Sequence, residues 1–198
     1  MREKVLAWLS ENVPVPRVKH ILRVEQMAMD LADHYKVTRE KAAMAGLMHD
    51  LAKYFQPQKL LQMAQKEGLE VDEVMVANPH LLHADVSAIV ARETFGVDDE
   101  EILQAIANHT LGRPGMSLLC SIVFLADSIE PGRGDTPQLQ VLRQISCQNI
   151  NQAVALTCDY TLKFLIESSC LVHPRVIFTR NWFLQRWKAK QPIVQQTV

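Results

Sequence analysis

The sequence predicts an all-α protein built as one helical bundle, and three observations carry that prediction. Apolar residues recur at three- and four-residue spacing in nearly every segment. Strand-like alternation of Val, Ile and Thr is scarce. The periodic stretches are cut by helix-ending residues, among them Pro14, Pro57, Gly68, Pro79, Gly96, Gly112 and Pro174. At 198 residues the chain is long enough for one sizeable core and gives no reason for two. The domain is expected to span 1–190, with its core motifs in 17–135 and a loose tail over 191–198.

The elements follow in order. A short first helix precedes Pro14 and Pro16, and a second begins near Arg17, because proline is tolerated at a first helical turn. In that second helix His20, Val24, Met27 and Leu31 form one stripe, which turns His20 inward. Thr38 is a candidate N-cap for a helix through Ala42 and Ala45, whose small side chains admit a close neighbour. His49 and Asp50 fall at its C-terminal end. Beyond Pro57 a short amphipathic helix ends near Gly68, and an irregular stretch runs to Pro79. A helix from about Ala84 carries Val86, Val90 and Phe95 and stops at Gly96, with His83 at its entrance. Asp98 or Asp99 caps the next, in which Ile102, Ile106 and His109 share a face before Gly112 and Pro114. Ser117 opens the apolar run LLCSIVFLAD, which delivers Asp127 in phase with Leu119 and Val123. A long helical region from about Leu139 to Leu171 and a last helix after Pro174 complete the chain.

Composition excludes several function classes. A formal charge of −1 with 22% charged residues leaves no basic field for a nucleic-acid polymer, so an anionic ligand must be handled by a local cluster. Cys120, Cys147, Cys158 and Cys170 form no C-x-x-C pair, which argues for reduced thiols and against a zinc knuckle or redox motif. The apolar part of MREKVLAWLSEN is too short for a signal peptide, and no run reaches membrane-spanning length. A soluble cytoplasmic protein is the expectation.

The chemistry is carried by the adjacent pair His49 and Asp50. Imidazole and carboxylate are both ligands of divalent transition metals, yet an isolated His-Asp dipeptide is weak support. It gains weight from His20 and Asp127, each turned inward by its helical phase. Singly, a core histidine or a capping aspartate is the ordinary explanation for each of these residues. Together they give two imidazoles and two carboxylates from three helices, a ligand set for one Fe, Mn or similar ion with positions left for water or phosphate oxygen. A buried aspartate in FLAD is also expensive without a cation.

His83 and His109 join Asp50 as candidate catalytic residues. Either they hold a second metal with Asp50 or they bond a phosphoryl group and move a proton, and the sequence leaves both open. Candidate phosphate contacts are Arg23, one turn from His20, then Lys53, one turn past Asp50, Thr110 beside His109, and Arg133 in the turn DSIEPGRGD. A kink at His173, Pro174 and Arg175 offers further donors. His34 reads as a core-edge residue and His80 as an exposed turn residue.

Five blocks then carry a resemblance: KHILRVEQMA around His20, AGLMHDLAK around His49 and Asp50, LLHADVSA around His83, AIANHTLGRPGMS around His109, and FLADSIEPGR ending at Arg133. With a later VHPRVIFTRNWF, they resemble the HD-domain superfamily and, within it, the YqeK-like bacterial family of symmetrical bis(5′-nucleosyl)-tetraphosphatases. The resemblance implies a helical HD fold, iron or a similar metal, and hydrolysis of diadenosine tetraphosphate into two ADP. It places His20, His49, Asp50 and Asp127 as metal ligands, and His83, His109, Arg133 and His173 to Val176 near the nucleotide. Ala84 and Leu111 depart from the family's frequent glycine and threonine. The rival readings are an HD-type nucleotide phosphomonoesterase, a non-catalytic nucleotide-sensing HD domain and a di-iron oxygenase. The apolar C-terminal helices also suggest a homodimer.

Overall fold

Eleven α-helices and two short 3-10 turns account for the regular structure of the computed structural model, which describes residues 1–189 and has no strand among them. The helices are α1 (Arg2–Asn12), α2 (Val15–Tyr35), α3 (Arg39–Met48), α4 (Pro57–Glu67), α5 (Glu73–Ala77), α6 (His83–Phe95), α7 (Glu100–Ala107), α8 (Leu118–Ile129), α9 (Pro137–Ser146), α10 (Ile150–Glu167) and α11 (Pro174–Ala189). The tail expected over 191–198 lies outside the described residues.

Most boundaries have a local cause. Asp99 caps α7 by accepting from the Glu101 and Ile102 amides, and the Ser117 hydroxyl caps α8 by accepting from the Cys120 amide. Thr38 occupies the N-cap of α3 without making a side-chain cap bond. Gly68 and Gly96 end α4 and α6 in the left-handed conformation.

Three expectations need correction. The second helix starts at Val15, two residues early, because Pro16 sits in its first turn where no amide is needed. The stretch before Pro79 contains α5, capped by the Asp72 carboxylate, which accepts from the Met75 amide. The region from Leu139 to Leu171 is two helices, divided after Ser146, with Asn149 capping α10.

The centre of the molecule is α8. Leu119 to Ala126 are all buried, and this helix packs against α2, α3, α7, α9 and α10. Each fully buried Leu or Ile here, such as Leu119, Ile122 and Leu125, contributes roughly 1.5–3 kcal/mol relative to an exposed one. That apolar rod ends at Asp127. Helices α2 and α3 pack at close quarters over Gly46, where an added Cβ would lie 3.0 Å from the Glu25 Cα. Close approach at this crossing brings His20 of α2 and His49 at the end of α3 together. Helix α11 is tied back to the loop after α7 by the Thr179 hydroxyl, which donates to the Leu111 carbonyl at 3.1 Å.

Candidate metal centre

Four side chains converge where α2, α3 and α8 meet. His20 Nε2 lies 3.0 Å from Asp127 Oδ1 and 3.9 Å from Asp50 Oδ2. His49 Nε2 lies 3.3 Å from Asp50 Oδ2 and 3.8 Å from Asp127 Oδ1. His20, His49 and Asp50 are buried, and Asp127 keeps 17% of its side chain exposed at the rim.

The other ring nitrogens show which way these imidazoles are used. His49 Nδ1 is 2.7 Å from the Gly46 carbonyl, which can only accept, so the proton is assigned to Nδ1 and Nε2 is bare. His20 Nδ1 is 2.9 Å from Glu130 Oε1. Both Nε2 atoms are buried without a hydrogen-bond partner, aimed at the same point as the two carboxylates. Two orphaned imidazole nitrogens facing two carboxylate oxygens fit a divalent transition ion.

A second group adjoins the first. Nitrogen or oxygen atoms of Asp50, His83 and His109 also lie within 4.8 Å of one another, with Asp50 shared between the two groups. His83 Nε2 is 3.1 Å from His109 Nε2 and 3.3 Å from Asp50 Oδ1. Both rings direct Nδ1 at a backbone carbonyl, of His80 and Ile106 respectively. Their bare nitrogens therefore face each other, an arrangement that needs a donor or cation nearby. Two donors are present: Lys53 Nζ is 3.3 Å and the Thr110 hydroxyl 3.2 Å from His83 Nε2.

Charge is distributed to match. Burial alone would push the Asp50 carboxyl up, but the charge and hydrogen bonds of His49 and His83 in their protonated forms outweigh it and hold Asp50 well below the usual range; where those rings turn a bare nitrogen inward, a cation would take that place. Asp127 behaves likewise under His20, His49 and Arg133. Burial, reinforced by His49 and His83, holds His109 well below an ordinary histidine, so it is neutral near pH 7. Burial also lowers Lys53 against the pull of Asp50 and Asp127.

Among the expected phosphate contacts, Lys53, Thr110 and Arg133 are brought to the cluster. Arg133 binds Asp127 twice, Nη2 to Oδ1 at 2.5 Å and Nε to the carbonyl at 2.7 Å. Arg23 instead turns away, donating from Nε to Glu130 Oε2 at 2.5 Å. His173 lies 2.8 Å from Asp72, and Arg175 reaches Asp85 at 3.6 Å, so with Pro174 at the start of α11 they face α5 and α6 rather than the ligand cluster. Leu111 is buried in the core and Ala84 is fully buried beside His83.

Sequence reasoning missed two residues. Arg17 donates from Nη1 to Asp50 Oδ2 at 3.1 Å, and Glu130 is 1% exposed and bonded to His20. Its position within IEPGR, directly after the Asp127 helix, was the available signal for Glu130. A cavity of about 520 Å³ opens beside Arg17 and Lys53, walled also by Tyr54, Gln56 and the exposed His80.

Fold and donor set together define a helical metal-binding protein of the HD type. The chain belongs to the HD-domain family, whose model matches residues 17–132. It is 34% identical over 183 residues to the symmetrical bis(5′-nucleosyl)-tetraphosphatase of Bacillus subtilis (strain 168), covering 92% of this chain and 97% of that one. The protein of the same name from Halalkalibacterium halodurans is 35% identical over 187 residues, covering 94% and 99%. A crystal structure of a predicted HD superfamily hydrolase from Clostridium acetobutylicum, described as involved in NAD metabolism, superposes with a TM-score of 0.89 at 37% identity, covering 94% of this chain and 98% of that one.

Proposed function

We propose that this chain is a metal-dependent hydrolase that cleaves diadenosine tetraphosphate symmetrically into two ADP. The observation that carries the reading is the cluster of buried His20, His49 and Asp50 with Asp127 at its rim, edged by Lys53, Arg17 and Arg133 beside an open cavity. The relatives' activity on bis(5′-nucleosyl) tetraphosphates supplies the substrate. A bound divalent ion, iron first and manganese second, would supply Lewis acidity toward a phosphoryl oxygen and acidify water.

The chain's own residues do the rest. Water adds to an inner phosphorus, the bond to the central bridging oxygen breaks, and that oxygen leaves as ADP after taking a proton. His109, neutral and with bare Nε2, is suited to accept the proton from water, and His83 next to Lys53 to return one. Arg17 and Arg133 each spend part of their guanidinium on a ligand carboxylate, leaving donors for the phosphate chain. His173, Pro174 and Arg175, away from the cluster, are assigned to the far nucleoside half of so extended a substrate. Arg23 is assigned to the support of Glu130. A second ion among Asp50, His83 and His109 is the alternative to Lys53 for holding the two facing imidazoles together. Phe164, Ile166 and Phe178, exposed on α10 and α11, are what supports a homodimer, which light scattering would test.

The test is to incubate anaerobically purified, iron-loaded protein with diadenosine tetraphosphate and resolve the products, with Asp50→Ala and Asp127→Ala beside it. ADP as sole product, lost in both variants, is expected. AMP with ATP, orthophosphate from a mononucleotide, or no turnover of any nucleotide would each overturn the assignment.

A further inference from the structure

Each of the four clustered histidines must have its second nitrogen satisfied, and three of them do it in the same way. His49, His83 and His109 use the carbonyl three residues back, at Gly46, His80 and Ile106. They sit at helix ends or in turns, where the ring folds back within reach of that carbonyl even though those of His80 and Ile106 each also accept a backbone amide. His20 cannot. It lies inside α2, where neighbouring carbonyls are taken up by the helix, and its partner comes from a residue 110 positions away.

That partner is fixed as firmly as a ligand. Glu130 Oε1 takes His20 Nδ1 at 2.9 Å and a longer bond from Arg23 Nη2 at 3.3 Å. Oε2 takes Arg23 Nε and the Gly132 amide, each at 2.5 Å. Arg143 in turn holds the Glu130 carbonyl at 3.2 Å. We propose that Glu130, clamped by Arg23 and the Gly132 amide, is a positioning residue of the metal centre that keeps the His20 proton on Nδ1 and its Nε2 bare toward the ion. The inference rests on the metal-centre reading above. A carboxylate in this role also makes the imidazole a stronger donor than a carbonyl would.

The clamp gives the isosteric variant Glu130→Gln a sharp signature. Arg23 and Gly132 demand an acceptor at the Oε2 position, so the amide oxygen goes there and the amide NH2 faces His20. His20 must then accept at Nδ1 and carry its proton on Nε2, aimed at the ion. We would record the ring 15N shifts of His20 in metal-free protein and measure zinc affinity against a fluorescent chelator, for wild type, Glu130→Gln and Arg23→Met. Expected for Glu130→Gln are a switch of His20 to the Nε2–H tautomer and zinc affinity lower by about 10–100-fold. Arg23→Met, which removes a half-exposed side chain and leaves the carboxylate in place, should weaken zinc severalfold and carries the test if Glu130→Gln fails to fold. An unchanged His20 tautomer with zinc affinity within twofold of wild type would overturn the role of Glu130, as would an unaffected Arg23→Met. Wild-type protein that took up no zinc at all would overturn the metal reading and this inference with it.

Discussion

The metal centre has two kinds of support, and they come from different regions of the chain. Around His49, His83 and His109 the support is local: a turn at a helix end supplies the carbonyl that orients each ring. Around His20 it is assembled from the turn after α8, through Glu130, Gly132 and Arg23. Local support travels with the residue it serves, whereas assembled support depends on α2 and α8 being packed at the right height. The first kind resists distant change; the second reports on the fold.

The largest effect expected is common to both regions. His49→Ala or Asp50→Ala removes a proposed ligand and should lower turnover by about 10³-fold or more, since a bound ion would supply several kcal/mol of charge stabilisation. Metal analysis and product assays of the same preparations check it. A variant lacking metal yet retaining turnover would break the idea that both regions serve one centre.

Gly46→Ala strikes the local region at its backbone. A Cβ there meets the Glu25 Cα at 3.0 Å, the Glu25 N at 3.3 Å and the Val24 carbonyl at 3.3 Å, all main-chain atoms that cannot step aside. Moving α3 off α2 should destabilise the protein by about 1–3 kcal/mol and separate His49 from His20. Thermal unfolding and zinc affinity would both fall. Unchanged affinity would show that His49 keeps its place without the close helix crossing.

Lys53 tests the mouth of the site. Burial lowers its pKa from the ordinary lysine value, so its charge is lost as pH rises through a point below that of a free lysine. If the charged form steadies the phosphate chain, turnover falls along the alkaline limb at that point, and Lys53→Arg shifts the limb upward because guanidinium stays charged. Lys53→Met should cost about 10–100-fold in kcat/KM, below the roughly 10²–10³-fold for a donor given wholly to the developing charge, because Lys53 also serves His83. A pH profile unchanged in Lys53→Arg would assign the limb to another group.

The same division explains what could be read from the sequence. Helix spacing, the caps Asp99 and Ser117 and the stops at Gly68 and Gly96 are written within a few residues of where they act, and they are visible. The inward phase of His20 and Asp127 is equally local. Not visible were α5, whose five residues are too few for a helical period, and the break between α9 and α10, which interrupts an unbroken apolar pattern without glycine or proline. Arg17 beside Asp50, Glu130 beside His20, and the capture of Arg23 by Glu130 are contacts across 33, 110 and 107 positions. Nothing in local periodicity encodes them. Proximity to His20 along the helix made Arg23 look like a phosphate contact, and only the packing of α2 against the turn after α8 shows which acid it serves.

Gly132→Ala gives the smallest effect and the finest test of the contrast. An added Cβ would collide with the Arg23 guanidinium, the end of a flexible side chain rather than backbone. Arg23 is about two-fifths exposed and can swing outward, so stability should change by no more than about 0.5 kcal/mol, as for a surface substitution. Displacing Arg23 leaves the Gly132 amide as what steadies the Glu130 carboxylate opposite His20, which should weaken zinc by a few fold. A drop in metal affinity without a drop in unfolding temperature would separate the support of His20 from the stability of the fold, which Gly46→Ala cannot do. Equal losses in both would mean that the turn after α8 serves packing first, and that the assembled arm of the site is no more specialised than the local one.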